Sequence, residues 1–282
     1  MNITIFYFSG TGNTWWTSLV LKKELEQSGS TVNMYSLENP ILKNEEFVEQ
    51  KIKDSDHIII GYPIYGSGLP DNMRDFIDHL PHVSDNKKFS TFCTQASSSG
   101  DGNIFFKKEI EKKGYKFLQS FQISLTTNFN VAKFPFSMLR PARGKKLETI
   151  KAKVSKKLSK MAEKIVRGEQ YFEGTRLDQR LLGNIQRYIF QRNKKKLTQG
   201  FKFFKDRCTK CNLCVKTCPT ENLFLDLADL DLKRKDNCLL CFRCYNFCPG
   251  LAINYGKNIK NPESYKRYPG PIENLKISEI RK

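Results

Sequence analysis

The feature that most constrains this chain is a repeated run of cysteines. Cys208, Cys211, Cys214 and Cys218 are spaced C-x2-C-x2-C-x3-C and followed by Pro219. Cys238, Cys241, Cys244 and Cys248 repeat the spacing, followed by Pro249. Three cysteines at intervals of three can turn their sulfurs toward three corners of one cubane, while the fourth, held off by the extra residue and the proline, faces a second cluster. The spacing therefore predicts Cys208, Cys211, Cys214 and Cys248 on one [4Fe–4S] cluster, and Cys238, Cys241, Cys244 and Cys218 on another. Structural zinc sites usually supply ligands as separated C-x2-C pairs, not as three cysteines in seven residues ahead of Cys-Pro. Crossed ligation would tie the two halves into a small pseudo-symmetric fold that depends on its metal for stability.

The other cysteine, Cys93, lies far from this cluster. Disulfide frameworks belong to small secreted domains. The N-terminus, MNITIFYFSGTGNTWW, has no basic leader or small-residue cleavage site and reads as a buried strand, so a cytoplasmic chain is expected. No apolar run reaches the roughly 18 residues of a membrane span. The formal net charge of +19 is concentrated in the middle: residues 136–205 carry 20 Lys/Arg against 5 Asp/Glu, whereas residues 1–135 carry 14 against 15.

Residues 1–130 alternate short apolar runs with helical patterns, as in an α/β domain with a five-stranded, doubly wound parallel sheet. Candidate strands are Ile3–Phe8, Val32–Ser36, His57–Tyr62, Phe89–Thr94 and Phe117–Ser124; candidate helices are Thr14–Ser28, Asp71–His79 and Asn103–Lys113. Segment 37–55 reads as a short helix with loops. The strongest helical pattern is Lys145–Arg167, where Leu147, Ile150, Val154, Leu158, Met161 and Ile165 recur at steps of three and four, with Gly168 as C-cap. A second amphipathic stretch, Leu177–Phe190, carries Leu181, Ile185, Tyr188 and Ile189 on one side and runs into a charged end. The expected division is an α/β domain over 1–168, a basic helical connector over 169–200, a small α+β cluster domain over 201–255, and an irregular tail over 256–282 that wraps over one of the domains.

The first strand runs straight into Ser9-Gly10-Thr11-Gly12-Asn13-Thr14 and then into a helix. Small residues and free backbone N–H groups at a helix N-terminus make a phosphate site. There is no lysine of a P-loop and no G-x-G-x-x-G order of a dinucleotide fold. The segment resembles the phosphate loop of flavodoxins, and two further loops extend the resemblance. After the third strand comes Pro63-Ile64-Tyr65-Gly66, where the resemblance implies an aromatic stacked on the flavin, with Tyr65 as the candidate. After the fourth comes a small-residue loop, with Thr94, Gln95, Ser97, Ser99 and Gly100 suited to lining the isoalloxazine edge. All three loops lie at carboxyl ends of strands, where open α/β sheets bind ligands. The resemblance implies bound flavin mononucleotide (FMN).

Segment 201–255 resembles the bacterial two-cluster ferredoxins, and the whole is similar to the flavodoxin–ferredoxin fusion proteins of anaerobic bacteria. That resemblance implies an electron-transfer protein relaying electrons between FMN and two clusters. Phe203, Phe204, Tyr245 and Phe247 are expected to shield the clusters. The alternative is an FMN-dependent reductase of a small oxidised substrate, a quinone or nitro compound, fed by the clusters. No catalytic residue, substrate motif or nicotinamide domain is recognisable. Lysines on the outer face of a helix are usually a solvated face, and without a recognition motif nucleic-acid binding is not expected. The basic middle segment instead suggests steering of an acidic redox protein partner.

Several residues are set aside. Cys93 reads as a buried apolar residue, and His57, His79 and His82 form no ligand pattern. Of Trp15 and Trp16, one is expected in the core and the other beside the flavin site. The aromatic segment Asn128–Arg143 is read as interdomain packing in preference to a lid.

Overall fold

The computed structural model describes residues 1–129, 140–226, 228, 231–256 and 266–282. In chain order its first elements are β1 (Asn2–Tyr7), α1 (Asn13–Gln27), β2 (Thr31–Ser36), α2 (Glu45–Asp54), β3 (His57–Pro63), α3 (Asp71–Asp78), β4 (Lys88–Gln95), α4 (Lys107–Lys112), β5 (Lys116–Ser124), α5 (Gly144–Arg167) and β6 (Tyr171–Phe172). The strands form one parallel sheet in the order β2-β1-β3-β4-β5-β6. Successive strand residues face opposite sides: Ile3, Ile5 and Tyr7 pack with α1 and α5, while Phe6 and Phe8 pack with α2 and α3. Both faces are covered, which is why these strands read as continuous apolar runs.

Helix α5 forms as its spacing predicts, burying Leu147, Val154, Leu158, Met161 and Ile165. Gly168 closes it at φ 65, a left-handed conformation that costs glycine nothing. That turn returns the chain to the sheet edge, where Tyr171 pairs with Gln119 and Phe172 with Ser120. The sheet thus has six strands where five were expected: a two-residue strand is too short to leave a period in the sequence. Trp15 and Trp16 both lie in the α1–α5 core, where one was expected in the core and the other apart from it. Segment 37–55 resolves into a 3-10 turn at Pro40–Lys43 followed by α2, capped by the Asn44 side chain.

The remaining elements are α6 (Leu177–Thr198), β7 (Phe201–Phe203), α7 (Leu213–Lys216), β8 (Leu223–Leu225), β9 (Leu232–Arg234), α8 (Arg243–Asn246), β10 (Ile253–Tyr255) and α9 (Ile277–Ile280). Strand β7 pairs antiparallel with β10, and β8 with β9. The cysteine repeat is a backbone repeat as well. Positive φ occurs at Lys210, Asn212 and Glu221 and again thirty residues on, at Leu240, Phe242 and Leu251. Non-glycine residues pay a steric cost there, so recurrence at equivalent positions marks two copies of one loop design. Phe201, Phe242, Tyr245 and Ile253 form the small core between the halves.

Segment 169–200, set apart on sequence as a connector, supplies β6 to the sheet and a helix packed on its loops. The described part of the tail wraps mainly over the N-terminal domain. Leu275 and Ile280 join the α1–α5 core, and the Tyr7 hydroxyl donates to the carbonyls of Ile280 and Lys282. Within the aromatic segment, residues 130–139 lie outside the described residues. Phe129 stacks on Phe242 at 5.2 Å between ring centres, which is packing between the domains.

His57 begins β3 fully buried, with Nε2 2.7 Å from the Ser90 hydroxyl. Burial, aided by Lys88, pushes its pKa down to about 3. The unfolded chain therefore takes up a proton that the folded chain refuses. The resulting stabilisation is fully present above the unfolded value near 6.5 and is lost as pH falls toward 3. Between pH 7 and pH 5 the wild type should lose about 2 kcal/mol that His57→Gln keeps. Urea unfolding followed by the fluorescence of Trp15 and Trp16 measures the difference.

Candidate functional site

Three loops meet where the sheet's direction of winding reverses, at the carboxyl ends of β1, β3 and β4. In the first, Gly12 takes φ 102 and stands at the N-cap of α1 without any side-chain cap. No acidic residue lies in the first turn of α1. An uncapped helix start without local negative charge is a place for an anion. Ser9 Oγ accepts from the Gly12 N–H at 3.1 Å. The side chains of Thr11, Asn13 and Thr14 tie the loop to its surroundings: Thr14 to the Thr94 hydroxyl at 2.8 Å, Asn13 to the Thr126 carbonyl at 2.9 Å, Thr11 to Asn128 at 3.1 Å.

In the second loop, Tyr65-Gly66-Ser67-Gly68 is a tight hairpin turn with Gly66 and Ser67 at φ 57 and 59 and reciprocal backbone bonds between Tyr65 and Gly68. Two consecutive left-handed residues are the signature of a type I′ turn. The turn aims Tyr65 back at the phosphate loop: a β-carbon added to Gly10 would stand 3.0 Å from the Tyr65 hydroxyl. Burial holds the Tyr65 phenol well above its usual pKa. It is a protonated donor with no acceptor among the described residues. In the third loop Thr94, Ser99 and Gly100 are buried while Ser97 is exposed. The amide nitrogen of Gln95 donates to the Ser97 carbonyl and the Ser124 hydroxyl, leaving its buried oxygen without a donor.

The cysteines fall into two groups in space. Burial pushes the Cys214 thiol up to about 11, with the Cys248, Cys208 and Cys211 sulfurs adding to the rise. Burial likewise raises Cys244, with Cys241, Cys238 and Cys218 as the leading neighbours and Cys214 last. Cys218, Cys238, Cys241 and Cys244 line one cavity together with Phe201, Phe242 and Arg234. Each fourth cysteine thus stands with the other half of the repeat. The backbone N–H groups of Asn222 and Ala252 point at Cys218 Sγ (3.3 Å) and Cys248 Sγ (3.2 Å), again thirty residues apart. Such bonds to sulfur are among the levers that set cluster potentials. Among the described residues no three His, Cys, Asp or Glu side chains converge on a single ion; the ligands of a cubane surround a volume instead of a point.

The two groups of loops touch. The Cys241 carbonyl would lie 2.8 Å from a β-carbon on Gly10, and only glycine permits that approach. Beside it sits Arg243, with 1% of its side chain exposed. Its Nε donates to the Gly10 carbonyl (2.9 Å), Nη2 to the Ser9 carbonyl (2.8 Å) and to Glu38, and Nη1 to the Thr217 carbonyl (2.7 Å) and Glu38 (2.7 Å). All five guanidinium N–H donors are used. Burial works against the charge, but Glu38 outweighs it and the pKa stands above the ordinary arginine value. Sequence reasoning missed Arg243, Glu38 and the tail residue Tyr268, whose hydroxyl donates to Asn13 Oδ1 at 2.5 Å. An arginine between two ligand-spaced cysteines was a usable signal; nothing in one sequence pairs it with Glu38.

Residues 4–202 match the family described as a flavodoxin domain. The chain belongs to the flavodoxin family. Residues 202–249 match a 4Fe-4S dicluster domain, so the chain is a flavodoxin–ferredoxin fusion. A stretch of 50 residues, 17% of the fusion, is 40% identical to part of an archaeal-type glutamate synthase (NADPH) of Dehalococcoides mccartyi and covers only 10% of that protein. Among solved structures, rubredoxin oxygen:oxidoreductase of the anaerobe Desulfovibrio gigas is 16% identical over 57% of the fusion and 37% of its own chain (TM-score 0.38). Oxidised flavodoxin 2 from Bacillus cereus is 20% identical over 59% of the fusion and 99% of its own chain (TM-score 0.42).

The two domains give the fusion a redox role and imply FMN and iron–sulfur as its cofactors. The residues present fit FMN: an uncapped helix start for the phosphate, glycines that allow close approach, and buried orphan atoms on Tyr65 and Gln95. They fit iron–sulfur through two sets of neighbouring thiols, one of them lining a shared cavity.

Removing Glu38 leaves Arg243 an uncompensated buried charge, and removing Arg243 leaves the buried Glu38 only the partly exposed Arg281. Arg243→Gln or Glu38→Gln should each cost about 3–5 kcal/mol. The double substitution should cost well below their sum, since the two act as one unit. Urea midpoints of the three variants check this; additive losses would mean that the two groups act independently.

Proposed function

We propose that this fusion is an electron carrier that relays electrons between FMN and two [4Fe–4S] clusters. The observation that carries the reading is the contact of Cys241 with Gly10: a residue of the second cysteine set lies directly against the phosphate loop. FMN, when bound, exchanges electrons singly or in pairs, and each cluster exchanges one at a time. In this reading Ser9 to Thr14 hold the phosphate, the α1 N-terminus facing its charge. Tyr65 flanks the ring, and Thr94, Gln95, Ser97, Ser99 and Gly100 line its edge, with Pro63, Ile64 and Gly66 shaping the turn. Cys208, Cys211, Cys214 and Cys248 hold one cluster; Cys238, Cys241, Cys244 and Cys218 hold the other. The domain boundaries follow: residues 1–168 with β6 and α6 attached, then 201–255 for the clusters.

A carrier is supported over a reductase of quinones or nitro compounds by what covers these loops. Phe190 of α6 presses on Gly66, the α6 backbone presses on Gly100, and Leu275 and Pro271 of the tail press on Gly12. Among the described residues no helix is long and apolar enough to cross a membrane.

Anaerobically purified protein should contain about one FMN, eight iron and eight sulfide per chain. Cys218→Ala should disturb the same cluster as Cys241→Ala, and Cys248→Ala the same as Cys211→Ala, read by electron paramagnetic resonance at graded potentials. Zinc in place of iron, or no flavin after reconstitution, overturns the relay. Rapid turnover of a small quinone that outpaces exchange with a protein carrier would favour the reductase.

A further inference from the structure

Helix α6 has two lines of residues with different roles. The inner line holds the flavin loops: the Gln179 carbonyl and Gly183 lie on Gly100, Arg187 bonds Asp101 and the Ser67 carbonyl, Phe190 covers Gly66, and Lys194 reaches Asp71. The outer line is apolar and open to solvent. Leu177 is 83% exposed, Leu181 60%, Ile185 47%, Tyr188 64% and Ile189 53%. Four of them, Leu181, Ile185, Tyr188 and Ile189, are the residues whose periodicity on sequence alone marked an amphipathic stretch. They lie outward because the loops beneath α6 are polar and take the glycine, arginine and glutamine side instead. A contiguous exposed apolar stripe of this kind marks an interaction site.

The stripe does not end at Ile189. Following the same helical steps, Arg192, Lys195 and Lys196 continue it, and Arg192 donates to the Tyr188 hydroxyl at 3.0 Å. The only acid in α6, Asp178, is already paired with Arg176. Charge decides among the occupants. Two copies of the stripe laid parallel would set cations on cations, and laid antiparallel would bring Arg192, Lys195 and Lys196 to an end whose one acid, Asp178, is engaged by Arg176 and which adds a further cation, Arg180. A membrane would require the cations to flank the apolar face at headgroup level, whereas Arg192 lies in the line of the stripe itself. A protein presenting an apolar ridge with an acidic end complements it.

Position decides what kind of protein. The inner line of α6 rests on the loops at Gly66 and Gly100, so an occupant of the outer line is one helix diameter, about 10–12 Å, from them. The cationic end leads to Thr198, which lines the cavity shared by Cys218, Cys238, Cys241 and Cys244. The stripe therefore runs from the flavin loops to the second cysteine set. Resting on the carrier reading above, we propose that the outer face of α6 is the docking surface for an acidic one-electron carrier protein. Docking would let one electron leave the partner's reduced iron–sulfur centre and enter this chain's oxidised centre, with no bond made or broken.

The test is stopped-flow reduction of the oxidised holoprotein by a reduced small acidic two-cluster ferredoxin. The wild-type second-order rate should fall steeply with salt. Arg192→Glu/Lys196→Glu should slow it about tenfold at low salt and flatten the salt dependence, and Leu181→Ser/Ile185→Ser should slow it about tenfold at every salt concentration. Reduction by methyl viologen radical, which needs no docking, should be the same in all three proteins. Equal ferredoxin rates in all three, including no measurable rate in any, overturn the docking proposal. Failure of the wild type to accept electrons from viologen overturns the carrier reading instead. A wild-type dimer that Leu181→Ser/Ile185→Ser dissolves assigns the stripe to a second copy. Binding to phosphatidylglycerol vesicles, lost in the same variant, assigns it to a membrane surface. Either result overturns the proposal.

Discussion

The Arg243 guanidinium, buried between two domains, is the interaction on which the arrangement of this molecule turns. It begins α8, between Cys241 and Cys244, and spends its donors on the carbonyls of Ser9 and Gly10, on Thr217 and on Glu38. Those partners belong to the phosphate loop, to the other half of the cysteine repeat and to the turn after β2. One side chain therefore fixes three otherwise separate segments. A charge so deeply buried is tolerated only when paired and fully hydrogen-bonded, and Glu38 supplies the pairing, with Arg281 of the tail 3.1 Å from the same carboxylate. Geometry of this kind specifies position more than it adds stability, because each bond constrains a direction.

The tail extends the same constraint. Arg267 donates to the Asn254 side chain in the cluster domain, and Tyr268 donates in two directions: its N–H to the Asn246 side chain and its hydroxyl to Asn13 in the loop after β1. Leu275 and Ile280 then enter the α1–α5 core. A small domain with few apolar residues of its own gains a fixed orientation by being held at several points on a larger one. The consequence for function is that the first three loops of the sheet do not open freely to solvent. Each of Gly10, Gly12, Gly66 and Gly100 is approached so closely by another segment that a β-carbon would collide with it.

Much of this was legible in the residues, for physical reasons that differ from element to element. The cysteine spacing is dictated by the shape of a cubane, so it survives translation into one dimension, and the thirty-residue recurrence of left-handed backbone positions follows it. The strands were readable because burial on both faces leaves apolar runs, and α5 because its stripe recurs with the helical period. The loop Ser9–Thr14 was readable as a tight turn because small residues stand together between a strand and an uncapped helix start. What escaped was whatever depends on the partner surface. The β6 strand has two residues and no period. Helix α6 shows its stripe plainly, yet the pattern cannot say whether a core or a solvent face receives it; the polar loops beneath made the polar side the inner one. Trp15 and Trp16 are adjacent on α1, which suggests different surroundings, but both pack into the core shared with α5.

These differences bear on what the molecule is built to do. A catalyst for small molecules requires an open cleft above its reactive group, with polar side chains converging on the substrate. Here the groups that converge on the loops after β1, β3 and β4 come from the chain itself: Phe190 and Gly183 from α6, Cys241 from the cluster domain, Pro271 and Leu275 from the tail. They close the loops off from bulk water and set one redox domain against the other, which lowers the local dielectric and strengthens every fixed charge nearby. Arg243 is the charge best placed to act through that medium. Its distance from the Cys241 and Cys244 sulfurs is set by two peptide units, and its distance from the phosphate loop by hydrogen bonds. A cation held there favours added negative charge on either side of it, so the same contact that orients the domains also biases where an electron rests.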